Sequence, residues 1–295
     1  MFTKNVNGHR MPAFTLKAPP KNNKTCLPIS IMKGETKTLN NKLLYLDTQP
    51  RVPKEDKPFI EVELPFDTMF SLMPSADEDF RQVWYITGSS GSGKSYMAKM
   101  YANNYSRMYP DRPIYLISKL TEDETIDGME TKPIRLDYSN WIEDPPNIND
   151  FNNALVIFDD YDTIDGKEGK AVLGVIEDLC IMGRKHNESQ GNVSVLLLTH
   201  HLTNYKKTRL LLNEATHYVV YPQNSSAHAL GYLLKTHMGL DKEDLKKMKK
   251  LGRWVCFSKN YPQYMMGAHY AKLLHMEDVE EEEEKGGASN IRCYH

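Results

Sequence analysis

Gly88-Ser89-Ser90-Gly91-Ser92-Gly93-Lys94-Ser95 has the composition and spacing of a loop that holds a phosphate. Glycines let backbone N–H groups wrap an anion without side-chain interference, and a helix starting at the end of such a loop adds a favourable dipole. Lys94 offers a point charge on a stem that reaches β- and γ-phosphate oxygens, and the Ser95 hydroxyl is a hard oxygen suited to Mg²⁺. Gly88, Ser89, Ser90, Gly91, Ser92, Gly93, Lys94, Ser95 and Tyr96 are therefore the expected contacts of a nucleotide, with ATP and Mg²⁺ as the expected ligands. A glycine-rich turn without a ligand has the same composition. The strand-like run Val83 to Thr87 before the loop and the helix-forming Tyr96 to Tyr105 after it favour the nucleotide.

Two further groups of polar residues follow apolar runs. Ala154 to Phe158 ends in Asp159-Asp160, where Asp159 suits Mg²⁺ and Asp160 suits a general base that deprotonates the water attacking a γ-phosphate. Alone, this would read as a strand ending in an acidic turn; the phosphate loop upstream changes the balance. Val193 to Leu198 ends in Thr199-His200-His201, and His200 or Thr199 at such a strand tip can sense the γ-phosphate, although a lone histidine also serves structural ends. Arg184, in Met182-Gly183-Arg184-Lys185-His186, precedes that strand and so belongs at its opposite end. Two readings fit it: an arginine finger for a neighbouring subunit, which implies a ring, or a surface charge capping the preceding helix. Arg209 is the reserve finger candidate.

These residues need a scaffold that brings strand ends to one edge. Between Gln82 and Pro222, short apolar runs alternate with polar or helical sequence at Val83 to Thr87, Ile114 to Ser118, Ile134 to Leu136, Leu155 to Phe158, Val193 to Leu198 and His217 to Tyr221. That alternation predicts an α/β fold, a P-loop NTPase with a central mostly parallel sheet covered by helices on both faces. In such sheets ligands bind at the carboxyl ends of the strands. Downstream, helical sequence is expected at Ala227 to Lys235 and in the basic stretch Lys242 to Lys250, and a strand at Trp254 to Phe257. The amphipathic pattern of that basic stretch also fits an ordinary surface helix.

Charge is uneven along the 295 residues. Residues 1–57 carry 11 Lys/Arg against 4 Asp/Glu, and Glu277, Asp278 and Glu280 to Glu284 form an acidic end. The expected organisation is a basic, poorly structured arm over 1–58, a P-loop ATPase domain over 59–275 and an acidic flexible tail over 276–295. The four cysteines lack metal-ligand spacing, and the start lacks an apolar signal core. No membrane partner is expected, and the chain reads as soluble and not secreted.

GSSGSGKS, LVIFDD, GRKH, VSVLLLTHHLTN, TRLLLNEATHYVVYP and RWVCFSKNYPQY together resemble the genome packaging ATPases of large DNA viruses, the poxvirus-type branch of the FtsK/HerA P-loop translocases. The resemblance covers about Val83 to Leu274. It implies a ring-forming, Mg-dependent ATPase that drives double-stranded DNA into a preformed capsid, with a capsid or portal-like partner, in the virion or at an assembly site in the host cytoplasm. It also implies phosphate and magnesium roles for Lys94, Ser95 and Asp159, the base role for Asp160, the sensor position for His200 and the finger for Arg184. The family often has Gln where this chain has His200, and Glu where it has Asp160. The alternative reading is a nucleotide-gated switch or assembly scaffold with slow hydrolysis.

Overall fold

The computed structural model describes residues 2–5, 12–16, 18, 25–35, 37–48, 59–77, 80–184, 191–202, 205–240, 246, 248 and 252–274. The amino-terminal part supplies β1 (Phe2–Asn5), β2 (Ala13–Thr15), β3 (Cys26–Gly34), β4 (Leu43–Asp47), β5 (Phe59–Glu63) and β6 (Thr68–Leu72). Strand and helix then alternate: β7 (Val83–Thr87), α1 (Lys94–Met108), β8 (Ile114–Ser118), α2 (Glu124–Asp127), β9 (Ile134–Arg135), β10 (Leu155–Asp159), α3 (Gly166–Met182), β11 (Ser194–Thr199), α4 (Tyr205–Glu214), β12 (His217–Val220) and α5 (Ala227–Met238). The last strands are β13 (Val255–Ser258), β14 (Tyr264–Gly267) and β15 (Tyr270–Leu273).

The expected α/β core is present. Strands β12-β7-β11-β10-β8-β9 lie side by side and run parallel. The segments joining β7, β8, β10 and β11 contain helices, as parallel neighbours require a crossover. Alternate residues of each strand face opposite ways. Leu155 and Ile157 of β10 join Met97, Tyr101 and Tyr105 of α1, while Val156 and Phe158 join Val172, Ile176 and Leu179 of α3 on the other face. Every residue of β7, β10, β11 and β12 is buried, as strands covered on both faces must be.

The sequence pattern indicated single strands of the second half of this sheet, such as Trp254 to Phe257, but not their assembly into it. Beyond β12 the order continues β13-β14-β15-β5-β2-β4-β3-β6, all antiparallel. Short hairpin connections at 259–263 and 268–269 make antiparallel pairing the available arrangement for β13, β14 and β15. The wing curls back on itself: Phe70 N–H donates to Ala268 O at 2.7 Å and Leu64 N–H to His269 O at 2.7 Å.

Here the expected poorly structured arm over 1–58 needs correction. Cys26–Gly34 and Leu43–Asp47 are paired strands, and Phe14, Met32 and Leu44 are fully buried in the same cluster as α1. Prolines mask this in sequence, because Pro28 sits where the β3/β4 register shifts and so costs no regular ladder bond. Asn104 of α1 locks the wing in place, its side-chain amide donating to Ser71 Oγ at 3.0 Å and Leu72 O at 2.8 Å. The acidic tail, Lys185, His186 and most of Lys242 to Lys250 lie outside the described residues; Lys246 is helical and exposed, Met248 helical and buried.

Candidate active site at the carboxyl edge of the parallel sheet

The strand order explains the site. Strand β11 lies between β7 and β10, with Thr199 opposite Thr87 and Phe158 opposite Leu197. Parallel strands in register end at one edge, so the loop after β7, the carboxylates after β10 and the tip of β11 emerge side by side, with β11 central. Gly88 N–H donates to Thr199 O at 3.2 Å, fastening the phosphate loop to that tip.

The loop turns through Gly91 (φ 72°) and Gly93 (φ 113°), backbone conformations that side-chain-bearing residues rarely adopt, and α1 begins at Lys94. Gly88 is required for another reason: a Cβ there would lie 2.6 Å from Ser92 Oγ and 2.7 Å from the Tyr221 ring. Lys94 is buried, and its ammonium donates to Gly88 O at 3.0 Å. The same Nζ lies 3.4 Å from His200 Nδ1 and 3.7 Å from Asp160 Oδ1, while His200 Nε2 lies 3.1 Å from Asp160 Oδ1. Three residues from three separate motifs thus meet around one carboxylate oxygen. That oxygen is buried and has no aligned hydrogen-bond donor, so cationic and imidazole groups approach it at ion-pair distance only. Asp160 has φ 47°, unusual for a residue with a side chain, and strain of this kind of order 1–3 kcal/mol collects at functional sites.

Asp159, one residue earlier, is 2% exposed. Burial, then the charge of Asp160, pushes its pKa up to about 6, while the Ser118 hydroxyl, donating to Oδ2 at 3.1 Å, opposes the rise. A carboxylate disfavoured by burial and by a like charge is one that a hard cation stabilises, and the half-buried Ser95 hydroxyl in the first turn of α1 adds a second hard oxygen donor. These donors fit Mg²⁺.

The other expected contacts divide, with Ser92 fully buried and Gly93 half-buried. Ser89, Ser90 and Gly91 face solvent, and Tyr96 is 64% exposed. Arg184 is exposed just past the end of α3, at the opposite edge of the sheet, and does not join the Lys94–Asp160–His200 group. Arg81 holds that corner by donating to Leu179 O and Cys180 O at 2.5 Å each. Arg209 is exposed on α4.

Three residues of the site had no assigned role in the sequence reading. Asp162 accepts from Thr199 Oγ1 at 2.8 Å and His200 N–H at 2.9 Å, tying the tip of β11 to the turn after β10; in sequence it is one more acid of an acidic turn. Tyr221 backs the loop glycines, and Arg253 donates to the Gly91 and Ser92 carbonyls. Nothing local in sequence connects positions 221 and 253 to a loop more than a hundred residues upstream.

No family model matches the chain. Among solved structures, the genome packaging NTPase B204 of Sulfolobus turreted icosahedral virus 2 with ATP-gammaS is 12% identical, covering 64% of this chain and 96% of that one, at a TM-score of 0.39. The conjugation coupling protein TcpA of pCW3 is 10% identical, covering 81% of this chain and 77% of that one, at a TM-score of 0.42. Identities and scores this low leave the family to be decided by sequence. The uncharacterized protein V3 of the Sputnik virophage is 32% identical over 207 residues, which span 68% of this chain and 81% of that protein. The chain carrying this phosphate loop and carboxylate pair belongs to the same family as Sputnik virophage protein V3.

Proposed function

We propose that this protein is an ATP-hydrolysing motor that moves double-stranded DNA into a viral capsid, working as a homo-oligomeric ring. The single observation that carries the reading is the meeting of Lys94, Asp160 and His200 within 3.7 Å at one edge of the sheet. In this reading the loop from Gly88 to Tyr96 binds ATP and Lys94 exchanges its contact with Asp160 for phosphate oxygens. Mg²⁺, held by Ser95 and Asp159, would neutralise charge on the phosphates. Asp160, released from Lys94, accepts a proton from the attacking water, and His200 registers whether the γ-phosphate is present. Asp162, bonded to Thr199 and His200, passes that state from the β11 tip to the turn after β10. Arg184, far from its own phosphates, fits a finger supplied to the next subunit.

The resemblance of the motifs to packaging ATPases supports DNA as the substrate and a capsid or portal-like protein as the partner, at a viral assembly site. Among the described residues, no helix is long and apolar enough to cross a membrane. ATP turnover with and without duplex DNA, beside a Lys94→Ala control, tests the proposal. Stimulation by DNA that vanishes in the control supports it. Turnover unaffected by Lys94→Ala removes the enzyme, and nucleotide-dependent assembly without DNA stimulation supports a switch or scaffold instead.

A further inference from the structure

We propose that Arg253 is a positioning residue that sets the phosphate loop from the antiparallel half of the sheet, an inference that rests on the nucleotide reading of that loop. Its guanidinium makes two parallel contacts: Nε donates to Ser92 O and Nη2 to Gly91 O, both at 2.9 Å. A peptide unit is planar and trans, so its C=O and N–H point in opposite directions. Holding the Ser92 carbonyl on the Arg253 side therefore turns the Gly93 N–H away from Arg253 and leaves it uncommitted to the guanidinium. An anion cradle needs backbone N–H groups held in a fixed direction in this way.

The loop requires such a hold. Its glycines at 88, 91 and 93 leave the backbone many alternatives, and ordering them costs more than ordering other residues. The Ser92 N–H is already committed to Ser89 O at 3.2 Å, which fixes the first half of the turn. Arg253 fixes the second half, and the buried Tyr221 ring supports the floor, lying 3.6 Å from where a Cβ on Gly93 would stand. Arg253 stands two residues before β13, and Tyr221 directly follows β12. The clamp thus joins the loop to the boundary between parallel and antiparallel strands. A planar fork can span two adjacent carbonyls, whereas an ammonium offers no such matched pair of donors.

Binding of ADP and of ATPγS to the full chain, to Arg253→Lys and to Arg253→Ala distinguishes this role from others. Loop positioning affects the β-phosphate cradle, so both variants should weaken ADP and ATPγS alike, by about tenfold. The Gly93 amide resonance should also shift in nucleotide-free Arg253→Lys protein. Weakening confined to ATPγS would mean that the guanidinium touches the γ-phosphate and would overturn positioning. Full rescue by lysine would reduce the role to charge and overturn it as well. Unchanged affinities in both variants, with tight binding by the unaltered protein, would overturn the clamp alone; failure of the unaltered protein to bind either nucleotide would remove the nucleotide reading beneath it. Should the alanine variant fail to fold, the lysine variant and the Gly93 resonance still decide the matter.

Discussion

The two halves of the sheet use similar strands for different ends. On the parallel side, β7, β11 and β10 point the same way, so their ends gather Lys94, His200 and Asp160 at one edge. On the antiparallel side, successive ends alternate between edges, so β3, β4, β5 and β6 have no common edge at which to collect groups. Their contribution is a packed face: Phe14, Met32, Leu44 and Phe70 belong to the same buried cluster as α1, each fully or almost fully buried, and β6 packs on α1. Chain direction decides which half can concentrate chemistry, and burial decides which half stabilises it.

Substitutions in each half should separate these roles. The largest effect is expected from Lys94→Ala or Asp160→Asn, each lowering ATP turnover by about 10²–10³-fold while leaving the melting temperature within a few degrees. A melting temperature that collapses in either variant would make these residues structural and break the contrast.

In the wing, Phe70→Ala should destabilise by about 3–4 kcal/mol in urea unfolding, with turnover per folded molecule unchanged. Loss of turnover at constant stability would mean that the wing takes part in chemistry beyond Arg253.

The boundary strand β12 gives a pH test. Burial pushes the pKa of His217 down to about 3, and the ring stacks on Trp84 at 4.2 Å between centroids. A histidine depressed in the folded state takes up its proton more readily when unfolded. Its neutral packing therefore contributes fully above about pH 6.5 and is progressively lost as pH falls toward 3. The acid limb of the stability profile should be shallower by about 2–4 kcal/mol over that window in His217→Gln than in the unaltered protein, once neutral-pH differences are subtracted. An unchanged slope would place the proton uptake elsewhere.

The smallest effect is expected at the exposed Arg107–Glu130 pair linking α1 to the turn after α2. Arg107→Ala should cost less than about 1 kcal/mol, decreasing with added salt.

Much of the site was legible because its signals are local. The phosphate loop, Asp159-Asp160 and Thr199-His200 each stand directly after an apolar run, and the six predicted strands of the parallel half all form within one or two residues of expectation. The arm was misread because the β3–β4 hairpin is held in a sheet by more distant strands, β2 with β4 and β5 and β3 with β6, and the prolines and lysines around it resemble those of an unpacked segment. Tyr221, Arg253 and Asp162 lay beyond sequence reasoning for a related cause: their partners are fixed by three-dimensional proximity.

From its own order of residues, this chain specifies a glycine turn, a basic side chain, a pair of acids and the alternating apolar runs that carry them. Those features depend on backbone freedom, charge and hydrophobic period over a few positions, which neighbouring residues set. Only folding in three dimensions decided that β11 sits between β7 and β10, that His200 therefore reaches both Lys94 and Asp160, and that the amino-terminal strands share a buried cluster with α1. Strand order and long-range pairing arise from burying faces against one another, a cooperative outcome of the whole chain that no short stretch encodes.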